Sequence, residues 1–242
     1  MNAGYWVRLT VGMTVLAAGA AVMLAVAALT LFRLRGFYSE RIATPLGRMM
    51  LRIFGIRYVV HHDAAVPPGQ VVYVSNHTST IDMFVLIALG LPSTRFFLSG
   101  YLRKLVPLGI IGYLIGIFWT VPQEYPERRR RIFARAARTL KRTGESVYLS
   151  PEGHRITSGQ IGAFNKGAFH LATDLGAPIV PLFIRIPRAI NPGKGWDAQP
   201  GVVHVHVLPA IDTSSWRVAE VPQNRDRVHK LFTRWHAQLH AG

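Results

Sequence analysis

Residues 71–89 read VVYVSNHTSTIDMFVLIAL and predict a strand, a polar turn and a helix in direct succession. The β-branched run at 71–74 is typical of a buried strand, and the Pro-Pro-Gly turn signal at 67–69 precedes it. Residues 81–89 are almost wholly apolar and predict a buried helix. A polar turn between a buried strand and a buried helix is typical of α/β proteins, which bind ligands at the carboxyl ends of their strands.

Short apolar runs alternate with helical patterns along the rest of the chain. The predicted strands are residues 56–60, 71–74, 95–98, 117–121, 146–149, 179–184 and 202–208. The predicted helices are residues 81–89, 126–142, 167–175 and a terminal amphipathic helix that carries Val228, Leu231, Phe232, Trp235 and Leu239. This alternation predicts an α/β fold, with one domain built on a mixed, mainly parallel sheet flanked by helices.

An uncharged, apolar run at residues 9–32 predicts a membrane helix, since about 20 helical residues cross the hydrocarbon core. Tyr5 and Trp6 precede it, and five arginines follow within residues 33–52, so the positive-inside rule places the bulk of the chain in the cytoplasm. The alternative is a cleaved signal peptide, whose apolar region is usually about 7–15 residues. We expect a single N-terminal membrane anchor at residues 1–37 and an α/β domain at 38–242.

A second apolar stretch, residues 105–121, is interrupted by one proline and three glycines. It is marginal for a membrane span. A buried core segment and a re-entrant helix that faces lipid are both compatible with its sequence.

Composition points to an anionic partner. The 242 residues carry a formal net charge of +16, half of them are hydrophobic, and mean hydropathy is +0.22. Such a charge attracts nucleic acid, an anionic membrane or an acidic protein. The predicted anchor and the lack of a nucleic-acid-binding motif favour membrane lipids over nucleic acid. The absence of cysteine excludes disulfides, thiolate metal sites and a cysteine thioester.

The turn that follows the strand at 71–74 carries a candidate acid–base pair. If Ser79 caps the next helix, His77 lies in the preceding loop and Asp82 is the third helical residue. Asp82 can then accept a hydrogen bond from the imidazole, fix its tautomer and stabilise its protonated form. The alternative is purely structural, because Ser79-x-x-Asp82 is also a capping-box pattern.

A second polar block, Ser-Pro-Glu-Gly-His-Arg at residues 150–155, follows the predicted strand at 146–149. Gly153 lets the backbone approach a ligand closely, between Glu152 and Arg155. Lys166 adds a cation beside the start of the helix at 167–175, where free N–H groups favour anions. These residues are typical of a phosphate-binding cradle, although Glu152 and Arg155 could instead form a surface ion pair.

Together these blocks resemble the glycerolipid acyltransferases, and most closely their lysophosphatidic acid (1-acylglycerol-3-phosphate) acyltransferase branch. The resemblance rests on Asn76-His77-x-Ser79-x-x-Asp82, on the later Pro-Glu-Gly-His-Arg block at 151–155 and on Ala-Pro-Ile-Val-Pro-Leu at 177–182, in that order. It implies a glycerolipid-acyltransferase-like domain in which His77 and Asp82 are catalytic. It also implies that the acceptor headgroup is bound by Glu152, Gly153 and Arg155, and we expect Lys166, from its position beside a helix start, to bind there as well.

Two departures from the family pattern bear on the acceptor. His154 occupies the usual position of threonine, and Pro122 occupies the position of an arginine that is thought to bind the acceptor phosphate. A differently headed acceptor, such as a lyso-ornithine lipid or another lysophospholipid, therefore competes with lysophosphatidic acid. A sugar-linked lipid is a further acceptor class that the motifs leave open.

The resemblance implies transfer of a fatty acyl group from acyl-CoA or acyl carrier protein in phospholipid biosynthesis, with neither a cofactor nor a metal. Without a cysteine or a Gly-x-Ser-x-Gly elbow, we expect direct transfer rather than an acyl-enzyme, with Ser79 as the alternative nucleophile. His204 and His206 share a strand face at a spacing compatible with zinc, but no third ligand lies nearby in sequence. A lipid-binding protein that lacks catalysis is the remaining alternative.

The predicted helix at 126–142 carries a dense set of cations: Arg128, Arg129, Arg130, Arg131, Arg135, Arg138, Lys141 and Arg142. They could be a solvated face opposite the apolar stripe of the helix. They could also attract anionic lipid, or an acidic acyl carrier protein.

Overall fold

The computed structural model describes residues 3–191, 193, 195 and 198–240. Its strands are β1 Ile56–His62, β2 Val72–Ser75, β3 Thr94–Ser99, β4 Phe118–Thr120, β5 Ser146–Leu149, β6 Ile179–Arg185 and β7 Gly201–Val207. Its helices are α1 Ala3–Leu29, α2 Arg35–Phe37, α3 Thr44–Ile53, α4 Asp82–Leu89, α5 Val106–Leu114, α6 Pro126–Thr143, α7 Gly167–Leu175 and α8 Val221–His240. A π-helical segment, Tyr38–Ala43, joins α2 to α3, and single 3₁₀ turns lie at Leu102–Lys104 and Val218–Glu220.

The strands form one seven-stranded sheet in the order β1-β7-β6-β2-β5-β3-β4. β6 and β7 pair antiparallel, and every other neighbouring pair is parallel. The prediction of a mixed, mainly parallel sheet is therefore confirmed. β2, β3, β4, β5 and β6 all end at the same side of the sheet, which we name the carboxyl edge; the opposite side is the amino edge.

The helices cover the two faces of the sheet as separate layers. On one face Tyr73 and Leu182 pack against α1, α3, α4 and α5, and on the other Val72 and Phe183 pack against α6, α7 and α8. Alternate residues of each strand serve opposite faces, so both cores draw on the same strands. We name these helix groups the α1 layer and the α6 layer.

The apolar helix α1 is packed along the domain. A Cβ atom on Gly12 would lie 3.0 Å from Met50 Cε, and one on Gly19 would lie 2.7 Å from Leu46 Cδ2. Since Gly12 meets the end of α3 and Gly19 meets its beginning, the two helices run antiparallel at close approach. Met23 and Ala27 are fully buried. Within the described residues, α1 is also the one helix long and apolar enough to cross a membrane.

The apolar stretch at 105–121 divides into two elements. Residues 106–114 form α5, which packs against α1, and residues 118–120 form the edge strand β4. Gly116, at a φ of +76°, makes the turn between them. With nine residues, α5 is too short to span a bilayer. The stretch is therefore mainly part of the α1 layer, although Val106 and Tyr113 are exposed.

Candidate active site

His77 and Asp82 meet at the carboxyl edge, directly after β2. The Nδ1 atom of His77 lies 2.7 Å from Oδ2 of Asp82. The Asp82 side chain is 1% exposed and that of His77 is 31% exposed. The carboxylate therefore fixes the tautomer with Nε2 outermost, and Nε2 has no hydrogen-bond partner among the described residues. An imidazole so oriented can take a proton from a bound hydroxyl.

The loop between β2 and α4 is wrapped around that same carboxylate oxygen. Oδ2 of Asp82 also accepts from the backbone N–H groups of Thr78, at 2.8 Å, and Ser79, at 3.0 Å. The prediction that Ser79 is the helix cap is wrong, because α4 begins at Asp82 and no side chain caps it. The Ser79 hydroxyl instead donates to Asn191 Oδ1 and accepts from Ile81 N–H.

Glu152 holds the backbone of His77 from the neighbouring strand end, after β5. Its Oε2 atom accepts from His77 N–H at 2.6 Å, and its Oε1 atom accepts from Gly162 N–H at 2.7 Å. Glu152 is fully buried. The prediction that Glu152 contacts the acceptor headgroup is therefore corrected, since both oxygens are committed to backbone groups away from solvent.

Burial also changes the acidity of Glu152. Removal from water raises the pKa of this carboxyl to about 7, and the hydrogen bonds from Gly162 and His77 oppose that rise. The carboxylate that positions His77 thus titrates close to neutral pH.

Asn76 connects the His77 loop to the sheet, a role that no sequence pattern indicated. Its side-chain amide donates to Ile184 O at 2.9 Å and accepts from Ile184 N–H at 2.8 Å. The side chain thus continues the hydrogen bonding between β2 and β6 past the end of β2. Next to it, the Ser75 hydroxyl donates to Asn76 O and lies 2.8 Å from Tyr148 Oη. The residue before His77 is therefore fixed by two neighbouring strands.

The second polar block lies beside His77, and Gly153 is its tightest point. Gly153 has a φ of +72°, and a Cβ atom there would lie 2.8 Å from Asn165 Nδ2 and 3.0 Å from Gln123 Nε2. Only glycine fits that backbone and that space. Gln123 follows Pro122, so the block that lacks the expected arginine brings a neutral amide to this point.

Arg155 and Lys166 differ in how they are placed. Arg155 Nη1 donates to Thr80 Oγ1 and, at 3.3 Å, to Gly193 O, so its guanidinium bridges the His77 loop and residue 193. Lys166 is exposed just before α7, and its ammonium makes no ion pair or hydrogen bond with a described residue. The structure thus brings Arg155 to the His77 loop, while Lys166 follows Asn165, which donates to the backbone of the second polar block at Pro151 and Glu152.

An apolar cavity opens next to Asp82 inside the α1 layer. The cavity is half open, and its space of about 480 Å³ includes open solvent. Met83 and Phe84, the two residues after Asp82, form part of its wall, and Leu16 of α1 and Trp119 of β4 form other parts. An apolar surface therefore lies within the same layer as the His77–Asp82 pair.

The strand histidines lie on β1 and β7, two or more strands from β2 in the sheet. His204 and His206 share a face of β7, and His61 of β1 lies 2.9 Å from His204 between Nε2 and Nδ1. Among the described residues, no group of three or more histidine, aspartate or glutamate side chains has a geometry suited to a metal ion.

Comparisons with known proteins all point to acyltransferases. A family model for acyltransferases matches residues 57–185. The 1-acyl-sn-glycerol-3-phosphate acyltransferase beta of Homo sapiens is 31% identical over 74% of this chain and 64% of its own length. The alpha enzyme of Bos taurus is 31% identical over 88% of this chain and 75% of its own length. The 1-acyl-sn-glycerol-3-phosphate acyltransferase of Pseudomonas aeruginosa is 28% identical over 66% of this chain and 61% of its own.

The fold has a solved counterpart. The crystal structure of the 1-acyl-sn-glycerophosphate (LPA) acyltransferase from Thermotoga maritima matches with a TM-score of 0.72 at 20% identity, over 97% of this chain and 98% of that chain. The family match and the sequence relatives show that the chain belongs to the acyltransferase family. Within that family it is an O-acyltransferase of the 1-acylglycerol-3-phosphate acyltransferase type.

Proposed function

We propose that this enzyme moves a fatty acyl group from acyl-CoA or acyl carrier protein to the hydroxyl of a lysophosphatidic acid-type acceptor, in phospholipid biosynthesis. The observation that carries the proposal is the 2.7 Å contact between His77 Nδ1 and Asp82 Oδ2, at the carboxyl edge beside an apolar cavity. The names of the curated relatives support the same acceptor class.

The proposed reaction is a direct transfer. Nε2 of His77 takes the proton of the acceptor hydroxyl as that oxygen attacks the thioester carbonyl. The C–O bond forms, the C–S bond breaks, and the leaving thiolate receives the proton from His77. Asp82 keeps the imidazole in the reactive tautomer and stabilises its charged form between the two steps.

The residues around Gly153 are proposed to bind the acceptor headgroup. Arg155 supplies a fixed cation, Lys166 a mobile one, and Gly153 leaves room for the headgroup to approach the backbone. Gln123 supplies a neutral amide at the same place. An acceptor with less negative charge than lysophosphatidic acid, such as a lyso-ornithine lipid, is the second candidate that this arrangement favours.

The substrates' apolar chains and the membrane are proposed to meet at the α1 layer. The cavity beside Met83 and Phe84 holds an acyl chain, and the exposed side of α1, with Val7, Val22 and Leu24, contacts lipid. With Arg33 and Arg35 after α1, the catalytic domain is proposed to lie on the cytoplasmic side.

The test is acyl transfer by the purified protein in detergent, with labelled acyl-CoA or acyl carrier protein and a panel of lysolipids. His77→Ala should lower kcat by at least roughly a hundredfold, because general-base catalysis contributes about that much or more. His62→Ala, an exposed histidine on β1, is the matched control and should keep full activity. Wild-type protein that is folded but transfers to no acceptor would refute the proposal; transfer only to another headgroup would change the acceptor and keep the chemistry.

A further inference from the structure

Helix α6 presents a continuous basic face to solvent. Arg131, Arg135 and Arg138 are exposed at helical spacing, and Arg128, Lys141 and Arg142 extend the face in both directions. Arg130 pairs with Glu127, but no carboxylate of the described residues forms an ion pair with Arg131, Arg135, Arg138, Lys141 or Arg142. Unpaired like charges at this density repel one another, so an acidic partner would relieve them.

This face points away from the lipid-contacting helix. Ala136 and Leu140 of α6 are buried in the core of the α6 layer, whereas Leu16 and Met23 of α1 are buried in the core of the α1 layer. The sheet separates these two cores. A membrane that covers the exposed side of α1 therefore lies on the other side of the sheet from most of the basic face of α6; Arg142, at the end of the helix, lies near Arg35.

The two ends of α6 lie at opposite edges of the sheet. Near its beginning, Arg129 Nη1 donates to Val121 O at 3.0 Å, just past the carboxyl end of β4. Just past its end, Glu145 pairs with Arg95 of β3 and with Arg35, at the amino edge. One end of the basic face is thus at the same edge as His77, and the face extends from there away from the site.

We propose that the basic face of α6 is a docking surface for an acidic acyl carrier protein, which delivers the acyl thioester to the carboxyl edge. The proposal rests on the proposed function, because it names the donor's carrier for that reaction. The positive charge of the α6 face complements the negative charge of the carrier protein. The position of α6 opposite the α1 layer favours a soluble protein over the membrane. A face as long as α6, with 18 residues, also exceeds what the phosphates of coenzyme A alone would cover.

The test compares two donors in one pair of variants. The triple variant Arg131→Glu/Arg135→Glu/Arg138→Glu reverses the docking face, and glutamate keeps the helix propensity close to that of arginine. The matched control is Arg227→Glu/Lys230→Glu/Arg234→Glu, which makes the same charge change at exposed positions of α8 in the same layer. Transfer is measured from palmitoyl-CoA and from palmitoyl-acyl carrier protein, together with retention on vesicles that contain phosphatidylglycerol.

We expect the α6 variant to lose about tenfold or more in kcat/KM with the carrier-bound donor, and to keep its activity with palmitoyl-CoA and its retention on vesicles. The α8 control should keep both activities. Equal losses with both donors, a loss confined to vesicle retention, or no loss at all would each overturn the docking surface. Wild-type transfer from palmitoyl-CoA with none from the carrier protein would overturn it as well, while the acyltransferase function would stand.

Discussion

Two buried carboxylates organise the active site by accepting hydrogen bonds from several backbone N–H groups. Asp82 accepts hydrogen bonds from the backbone N–H groups of Thr78 and Ser79 and from the His77 ring. Glu152 accepts from the backbone N–H groups of His77 and Gly162. Hydrogen bonds to a charged acceptor are each worth about 1.5–3 kcal/mol, more than those between neutral groups. The loop that carries His77 is therefore fixed before any substrate arrives.

The pKa of Glu152 makes the stability of this arrangement depend on pH. The unfolded chain releases this proton near its usual pKa of 4.5, whereas burial raises the folded pKa to about 7. Between those values the unfolded state binds fewer protons, so stability falls as pH rises, by roughly 3 kcal/mol from this group. Glu152→Gln lacks this effect, and the melting temperature of wild type relative to the variant should be higher at pH 5 than at pH 7.5.

That measurement needs a control for charge alone. Glu124 is exposed, and Glu124→Gln should shift the melting temperature by the same amount at both pH values. Parallel pH curves for wild type and Glu152→Gln would show that the buried carboxyl does not titrate in this range.

The hydrogen bond between His77 and Asp82 was predicted from the sequence, but the loop conformation that makes it possible was not. The expected Ser79 cap failed because the Ser79 hydroxyl bonds to Asn191, 112 residues further along the chain. The role of Glu152 was also misjudged, since its burial depends on the amide of Gly162 and on a neighbouring strand. Local pattern shows which residues are polar at a strand end; distant contacts decide which of them face solvent.

Among the elements, α3 and α4 pack at close approach through Gly47. A Cβ atom on Gly47 would lie 3.1 Å from the backbone nitrogen of Ala88 and 3.0 Å from Ile87 Cγ2. A larger side chain would push apart the two helices that flank the apolar cavity. Gly47→Leu should therefore cost about 1–3 kcal/mol and lower the melting temperature by several degrees.

Gly36 of α2 provides the comparison for that substitution. A Cβ atom there has no other atom within 4 Å, so Gly36→Leu should leave the melting temperature unchanged or raise it. Equal effects of the two substitutions in thermal unfolding would contradict the close packing of α3 on α4.

The apolar runs predicted the positions of the strands well and the residues at which the strands end less well. The run that predicted the first strand stops at Val60, but β1 continues through His61 and His62 because they pair with His206 and Val207 of β7. Pairing with a distant strand extends an element beyond its apolar pattern. The apolar stretch at 105–121 was difficult for the opposite reason: one apolar run contains two elements, α5 and β4.

At the scale of the whole molecule, α1 and the catalytic domain form one body. A sequence rich in alanine and glycine suits lipid or protein contact equally, so the docking of α1 on α3 could not be predicted. Because the chain has no cysteine, a designed pair can test that docking in native membranes. A Cβ atom on Gly19 lies 3.4 Å from Leu46 Cγ, so Gly19→Cys/Leu46→Cys should form a disulfide on mild oxidation.

The control places the first cysteine on the other side of the same helix. Val22 is 57% exposed, and Val22→Cys/Leu46→Cys should stay reduced under the same oxidation. Cross-linking is read by the mobility of the protein in non-reducing gels. Equal cross-linking of the two pairs, or none in either, would mean that α1 leaves α3 when it enters the membrane.

The pairing of β1 with β7 sets the order in which the protein can be assembled as it leaves the ribosome. Ile56 pairs with Gly201, so β1 emerges early and remains without its neighbour until nearly the whole chain has been translated. An unpaired strand edge readily recruits strands from other chains. The helices α1 and α3 emerge before β1, so part of the α1 layer is already present while β1 still lacks β7.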